Sequence, residues 1–191
     1  MHTATTMIVF IVIFAAYPIL VYLGLTYLGA GSVAMLLVAV AVLRLAIARP
    51  KKGQGALTMQ LVLALAIAIA IGILVLVSNS PVFLRYYPVC MNAMLLCLFG
   101  ASLLRPPSMI ERFARMRHAY LPDSAVRYTR KVTIVWCGFF LFNGAIAFYT
   151  SYAASLEYWA LYNGMISYAL MALLFIGEYL VRQRVQRRDA Q

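Results

Sequence analysis

Two opposite charges stand apart in this chain because each is the only one of its sign expected on the outer side of a membrane. They are Arg85 and Glu157. A guanidinium and a carboxylate at one membrane level could pair with each other, or together bind a zwitterionic or anionic group. The alternative is an exposed loop carboxylate beside an arginine whose charged end reaches the interface.

Three asparagines lie within apolar stretches, where an amide needs hydrogen-bond partners. Asn143 is predicted near the midplane, and Asn92 and Asn163 nearer the outer surface. Hydrogen bonding between helices is the commoner use of such a residue, and contact with a ligand is the alternative. If Asn92 and Asn163 converge with Arg85 and Glu157, they form a polar recess open to the outer leaflet.

Glu178 is the remaining candidate for ligand binding. It follows the start of its apolar stretch by about 30 Å of helix, which places it at the inner interface. Arg182 lies one turn later and is expected to pair with it. The chain contains no HExxH, GxSxG, phosphate-loop or dinucleotide motif, and only two histidines, His2 and His118. We therefore predict no catalytic residues, no metal and no cofactor.

These residues must be positioned by membrane-spanning helices, since 65% of the 191 residues are hydrophobic and 11% are charged. The uncharged run from Thr3 to Leu43 is about twice as long as a helix needs to cross the hydrocarbon. It is expected to fold back at Gly29 to Ser32. The sequence predicts one all-α membrane domain over 1–191, with six spans at about 7–28, 32–48, 56–77, 82–104, 132–156 and 158–181. Ala64, Ala68 and Gly72 give the third span a small face for close helix packing.

The distribution of positive charge gives the orientation. Of the sixteen Lys and Arg residues, fifteen fall in the segments on one side of these spans, and only Arg85 falls on the other. Loops rich in Lys and Arg are cytoplasmic, so both termini are predicted on the cytoplasmic side of the bacterial inner membrane. The net charge of +11 is then explained by the inside loops and by attraction to anionic lipids, and no nucleic-acid partner is expected.

The longest loop is predicted to carry an interfacial amphipathic helix at about 108–120. Ser108 to Glu111 reads as a capping box that begins the helix. Met109, Phe113, Met116 and Tyr120 would form its apolar face on the cytoplasmic leaflet, and the opposite side would carry Glu111, Arg112, Arg115 and His118. Acyl carrier proteins are generally acidic, so we expect Arg112, Arg115 and Arg117 to dock one. Positive-inside topology alone would also explain them.

Two segments in the last two spans resemble each other: Phe142-Asn143-Gly144-Ala145-Ile146 and Tyr162-Asn163-Gly164-Met165-Ile166. Because neighbouring spans run antiparallel, such a pair could be an inverted element of the kind that transporters use. The similarity extends over five positions only, and no longer repeat is visible.

From Arg85 onward the chain resembles a family of small bacterial inner-membrane proteins encoded among genes for aryl-polyene and xanthomonadin-type pigment lipids. The stretches that carry the resemblance are Arg105-Pro-Pro-Ser-Met-Ile-Glu-Arg112, Tyr128-Thr-Arg-Lys-Val-Thr133, Val135-Trp-Cys137, Asn143-Gly144, Ser155-Leu-Glu-Tyr-Trp-Ala-Leu-Tyr-Asn-Gly164 and Phe175-Ile-Gly-Glu-Tyr-Leu-Val-Arg182. The resemblance covers about half the chain. It implies a setting in polyene assembly, attachment to lipid and delivery to the outer membrane, without supplying an activity.

Three functions remain open at this point. The first is a non-catalytic inner-membrane component that docks cytosolic enzymes or carrier protein. The second is a small lipid transporter or flippase that works through the outer recess, as an oligomer, because six short spans leave room for only a small cavity. The third is a membrane-embedded transferase that uses Glu157 or Glu178 as a base.

Overall fold

The computed structural model describes residues 20–47, 55–78, 80–116 and 120–189, and every regular element within these ranges is helical. We call the helical residues 20–27 α1. The other elements are α2 (Ala30–Ile47), α3 (Gly55–Ser78), α4 (Val82–Arg85), α5 (Tyr87–Leu104), α6 (Met109–Arg115), α7 (Asp123–Ala153), α8 (Leu156–Leu161), a π-helix (Tyr162–Ile166) and α9 (Ser167–Asp189). The predicted all-α class is confirmed for the described part of the chain.

Three stretches are long and apolar enough to cross a membrane: Val82–Leu104, Asp123–Ala153 and Leu156–Val185. They coincide with the fourth, fifth and sixth predicted spans. The second and third predicted spans correspond to shorter apolar helices, Ala30–Leu43 and Val62–Ser78. The first predicted span falls mostly outside the described residues, so the number six stays a prediction.

The chain divides into two compact units, and the first contains the described residues of 1–91 and 144–168. Its core forms where α2 packs against α3, with Ala34 and Ala68 buried between them. Gly72 allows this approach, since a Cβ on it would overlap with Val38 Cγ2. The predicted small face of the third span is therefore confirmed, and its neighbour is α2.

The second unit contains the described residues of 92–143 and 169–191 and is built around aromatic rings. The ring of Trp136 on α7 lies 4.6 Å from that of Phe175 on α9 and 5.7 Å from that of Phe140, between centroids. Phe140 in turn meets Phe99 of α5 edge to face at 5.1 Å. Such pairs add to the burial of apolar area, so α5, α7 and α9 are joined in this unit.

The segment after α5 differs from the predicted interfacial helix. The capping-box residues begin α6 as expected, with Glu111 Oε2 accepting from the Ser108 N–H at 3.4 Å, but the helix ends at Arg115. Glu111, predicted on the polar face, is only 5% exposed, whereas Met116, predicted on the apolar face, is exposed. The reason is tertiary packing, because α6 is hydrogen-bonded to α5 and α7.

The five-residue similarity noted above does not extend to the backbone. Residues 142–146 are part of the regular α-helix α7, whereas Tyr162–Ile166 form the π-helix. A π-turn places one extra residue in the helix and changes the direction of every side chain in it. The two asparagines therefore occupy different local structures.

Candidate functional site

Arg85 lies at the end of α4, and its side chain closes the carboxyl end of α7. Its Nη2 donates to the carbonyl oxygens of Thr150 at 2.6 Å and Ala154 at 2.5 Å. The last carbonyls of a helix have no partner within the helix and carry the negative end of its dipole. A guanidinium there satisfies two of them and places positive charge against that dipole.

The backbone carbonyl of Arg85 is also a point of convergence. It accepts hydrogen bonds from the Ser151 hydroxyl at 2.7 Å and from Trp159 Nε1 at 3.0 Å. Trp159 is completely buried. Its indole N–H is therefore satisfied within the first unit. Arg85 thus connects α4, α7 and α8.

Asn163 lies in the π-helix of the same unit and is 3% exposed. Its Nδ2 donates to Thr150 Oγ1 at 3.2 Å and to the Trp159 carbonyl at 2.9 Å. The Thr150 hydroxyl itself donates to the Ala147 carbonyl at 3.0 Å, which fixes it as the acceptor for Asn163. Asn163 therefore faces protein, as predicted. Its buried Oδ1 has no hydrogen-bond partner among the described residues.

Glu157 lies in the first turn of α8 and is exposed. It accepts from the Ser155 hydroxyl at 3.4 Å, and no ion pair joins it to Arg85 in the described part of the chain. The reason is that the Arg85 guanidinium reaches the carbonyls of α7 instead. The proposed outer recess also requires Asn92, which belongs to the second unit, and the recess stays a prediction.

Asn92 of α5 and Asn143 of α7 meet within the second unit. Asn143 Nδ2 donates to Asn92 Oδ1 at 3.1 Å, and Asn143 is buried. The predicted hydrogen bonding between helices is confirmed for this pair. Two amides satisfy each other here, which lowers the cost of placing either in an apolar environment.

Glu178 of α9 is held by two neighbours at the other end of the second unit. The Tyr128 hydroxyl donates to Glu178 Oε1 at 3.2 Å and to the Glu178 carbonyl at 3.1 Å. Arg182 Nε lies 3.9 Å from Glu178 Oε1, so the predicted ion pair is confirmed at the limit of such contacts. Tyr128 was missed, because its partner is fifty residues away and no local pattern announces it.

The three arginines predicted to dock a partner have different surroundings. Arg115 pairs with buried Glu111, with Nη2 2.7 Å from Oε1. Arg112 Nε donates to the Pro107 carbonyl at 2.8 Å and so supports the turn before α6. Arg117 lies outside the described residues. Arg105 is exposed, and its side chain forms no ion pair with a described acid.

Hydrogen bonding and charge are the chemistry that these groups offer. Among the residues that the structure describes, no three His, Cys, Asp or Glu side chains approach closely enough to hold a metal ion. The polar side chains of the first unit described above mostly form hydrogen bonds within that unit. The second unit, in contrast, carries exposed cations around α6 and the start of α7.

The sequence model of one protein family, described as intracellular septation protein A, matches residues 1–187. The match covers nearly the whole chain. No curated protein and no solved structure matches it.

Proposed function

Since the chain belongs to the intracellular septation protein A family, a family of bacterial membrane proteins, we propose that it is a non-catalytic component of the inner membrane. Its cytoplasmic face docks an acidic cytosolic protein, an acyl carrier protein or a carrier-bearing enzyme. The setting is a lipid or aryl-polyene biosynthesis or delivery pathway. The resemblance of the stretches from Arg85 onward supports this setting, and the charge distribution supports six spans with both termini inside.

The observation that carries the proposal is the attachment of α6 to its neighbours. The Met109 N–H donates to the Ser102 hydroxyl of α5 at 2.9 Å, and the Ile110 N–H donates to Thr133 Oγ1 of α7 at 3.3 Å. Met109 is buried in the same contact. The short helix is therefore fixed to two long helices rather than free to move on a leaflet.

A fixed basic surface suits docking, because little conformational freedom is lost when a partner binds. Arg105 and Arg115 are exposed around α6, and Arg112 is half-buried beside them. The one acid in α6, Glu111, is buried and already paired with Arg115. The surface presented to the cytosol is thus positive, and an acidic partner would be attracted to it and oriented by it.

The test measures binding of purified carrier protein to the full-length protein in nanodiscs of zwitterionic lipid. Arg105→Glu is the most direct change, since the Arg105 side chain supports no described contact with an acid. We expect it to weaken binding by roughly tenfold, which corresponds to about 1.4 kcal/mol. Replacing Arg112, Arg115 and Arg117 together by Gln should abolish binding, with retained thermal stability checked because Arg112 and Arg115 also have internal contacts.

Lys131→Glu is the matched control, because it makes the same charge change on an exposed side chain of the same unit. It should alter the dissociation constant by less than about twofold. Absence of carrier binding by the unaltered protein would contradict the proposal, as would equal weakening by both single variants. The family description adds septation as a setting, and capture of an acidic division protein in place of carrier protein would keep docking but reject the pigment-lipid pathway.

A further inference from the structure

One face of α7 in the second unit is exposed along its length, and its side chains change from basic to apolar at one point. The exposed positions recur at helical spacing, and from Ile134 they are apolar or small: Ile134, Val135, Gly138, Leu141 and Phe142. The preceding exposed positions on the same face are basic: Arg127, Arg130 and Lys131. An exposed apolar face on a membrane-spanning helix faces lipid, so the basic group lies at the end of a lipid-facing surface.

The length of α7 places that group at the depth of lipid headgroups. The helix from Val132 to Ala153 is about 33 Å long at 1.5 Å per residue, slightly more than the roughly 30 Å of hydrocarbon. Lys131 and Arg127, which precede Val132, therefore lie just outside the hydrocarbon. The Tyr128 hydroxyl, which lies between them in sequence, is bonded to Glu178 of α9, so this end of α7 is held in place.

The three basic side chains are not equivalent. Arg130 Nη1 donates to the Leu103 carbonyl at 3.0 Å, at the end of α5. Arg127 and Lys131 are exposed, one helical turn apart, and neither forms an ion pair with a described acid. The nearby acids are Glu178, which is bonded to Tyr128 and Arg182, and Asp123, one turn before Arg127 and not within ion-pair distance of it.

We propose that Arg127 and Lys131 bind the phosphate of an anionic glycerophospholipid. The two cations straddle the phosphate from one helix turn, and the acyl chains lie along the exposed apolar face below. At Gly138 this face is open, since a Cβ there would have no neighbour within 4 Å. Charge on the helix and the apolar surface continuous with it select a lipid over a free phosphate or a soluble protein.

Native mass spectrometry of the full-length protein in detergent provides the test, with phosphatidylglycerol and phosphatidylcholine as probes. The unaltered protein should bind phosphatidylglycerol at least fivefold more tightly than phosphatidylcholine. Arg127→Gln with Lys131→Gln should reduce this preference to less than about twofold. Exchanging the two charges, Arg127→Lys with Lys131→Arg, should retain most of the preference, which separates the role of charge from any effect on folding.

The control is Arg184→Gln, which removes an exposed charge from the same unit at a residue that belongs to neither proposed binding surface. It should leave the preference unchanged. Retention of the preference by the Arg127/Lys131 variant, or an equal loss in the control, would overturn the proposal. Full displacement of the lipid by millimolar inorganic phosphate would assign the site to free phosphate, and loss of carrier-protein binding in the Arg127/Lys131 variant would assign the surface to a protein; either result also overturns it.

Discussion

A single guanidinium does at the end of α7 what a glycine turn or a water does at many helix ends. The Arg85 side chain satisfies two terminal carbonyls, while its own carbonyl accepts from a serine and a tryptophan. Carbonyls at a helix end have no partner within the helix, and where water is excluded they need one from elsewhere in the protein. This use explains a lone arginine on the predicted outer side, where no other positive charge is expected.

Arg85→Gln is therefore expected to destabilise the protein by about 1.5–3 kcal/mol, the range for hydrogen bonds that involve a charged group. Arg85→Lys should lose less, since it keeps a positive charge near the helix dipole but offers no planar fork. Thermal unfolding in detergent measures both. Arg184→Gln removes the same charge from an exposed position and should leave the melting temperature unchanged within about 1 °C. An equal decrease in both variants would show that the capping contact contributes nothing.

For polar residues, the sequence predicted that a hydrogen-bond partner is needed, because this need follows from the chemistry of the side chain. Amides within apolar stretches need partners, and Asn92, Asn143 and Asn163 all have them. The partner itself depends on where a distant helix ends, which a sequence does not state. Pairing of Arg85 with Glu157 was one possibility, and the Arg85 side chain is found on the carbonyls of Thr150 and Ala154 instead.

At the scale of elements, the contact of α2 with α3 depends on a position without a side chain. Gly72 is buried, and any Cβ there would meet Val38 Cγ2 and approach the Ala34 carbonyl oxygen at 3.4 Å. Small residues at fourfold spacing predicted this approach, because the spacing places them on one face. The partner helix could not be predicted, since every apolar stretch of this chain offers a surface of similar hydrophobicity.

Gly72→Ala should destabilise the packing of α2 on α3 by about 1–3 kcal/mol, the usual cost of overpacking a filled site. The loss should be visible as a lower melting temperature in detergent. Adding Val38→Ala removes the atom that the new methyl group meets, so the double variant should recover part of the loss. Gly177→Ala is the control, because it adds the same atom where no neighbour lies within 4 Å, and it should be neutral or slightly stabilising. A Gly72→Ala variant as stable as Gly177→Ala would refute the close approach.

At α6 the sequence pattern predicted the start of the helix but not its packing. The start of the helix was predictable, since a serine followed three residues later by a glutamate favours a helix beginning there. Its surroundings were not, because the N–H groups of Met109 and Ile110 donate to Ser102 and Thr133 of other helices, and Glu111 beside them is buried. A periodic apolar face can pack on a membrane leaflet or on a neighbouring helix equally well. Hydrogen bonds to residues distant in sequence attach α6 to neighbouring helices.

For the molecule as a whole, the distribution of charge predicts an orientation that labelling can test. In a background with Cys90, Cys97 and Cys137 replaced by Ser, Glu157→Cys and Asp123→Cys each place one thiol at an exposed position at opposite ends of the helical segments between them. Cytoplasmic positive charge predicts that a membrane-impermeant maleimide labels Glu157→Cys in cells whose outer membrane alone is permeabilised, and labels Asp123→Cys only after the inner membrane is opened.

The cysteine-free parent, treated in the same way, should stay unlabelled and so sets the background. Labelling of Asp123→Cys before the inner membrane is opened would reverse the orientation and remove the basic α6 surface from the cytosol. The proposed docking of a cytosolic carrier protein would then be impossible, whereas a lipid phosphate at Arg127 and Lys131 would still find anionic headgroups in the other leaflet. The orientation thus bears on the two proposals unequally, because only the docking proposal depends on which compartment the charges face.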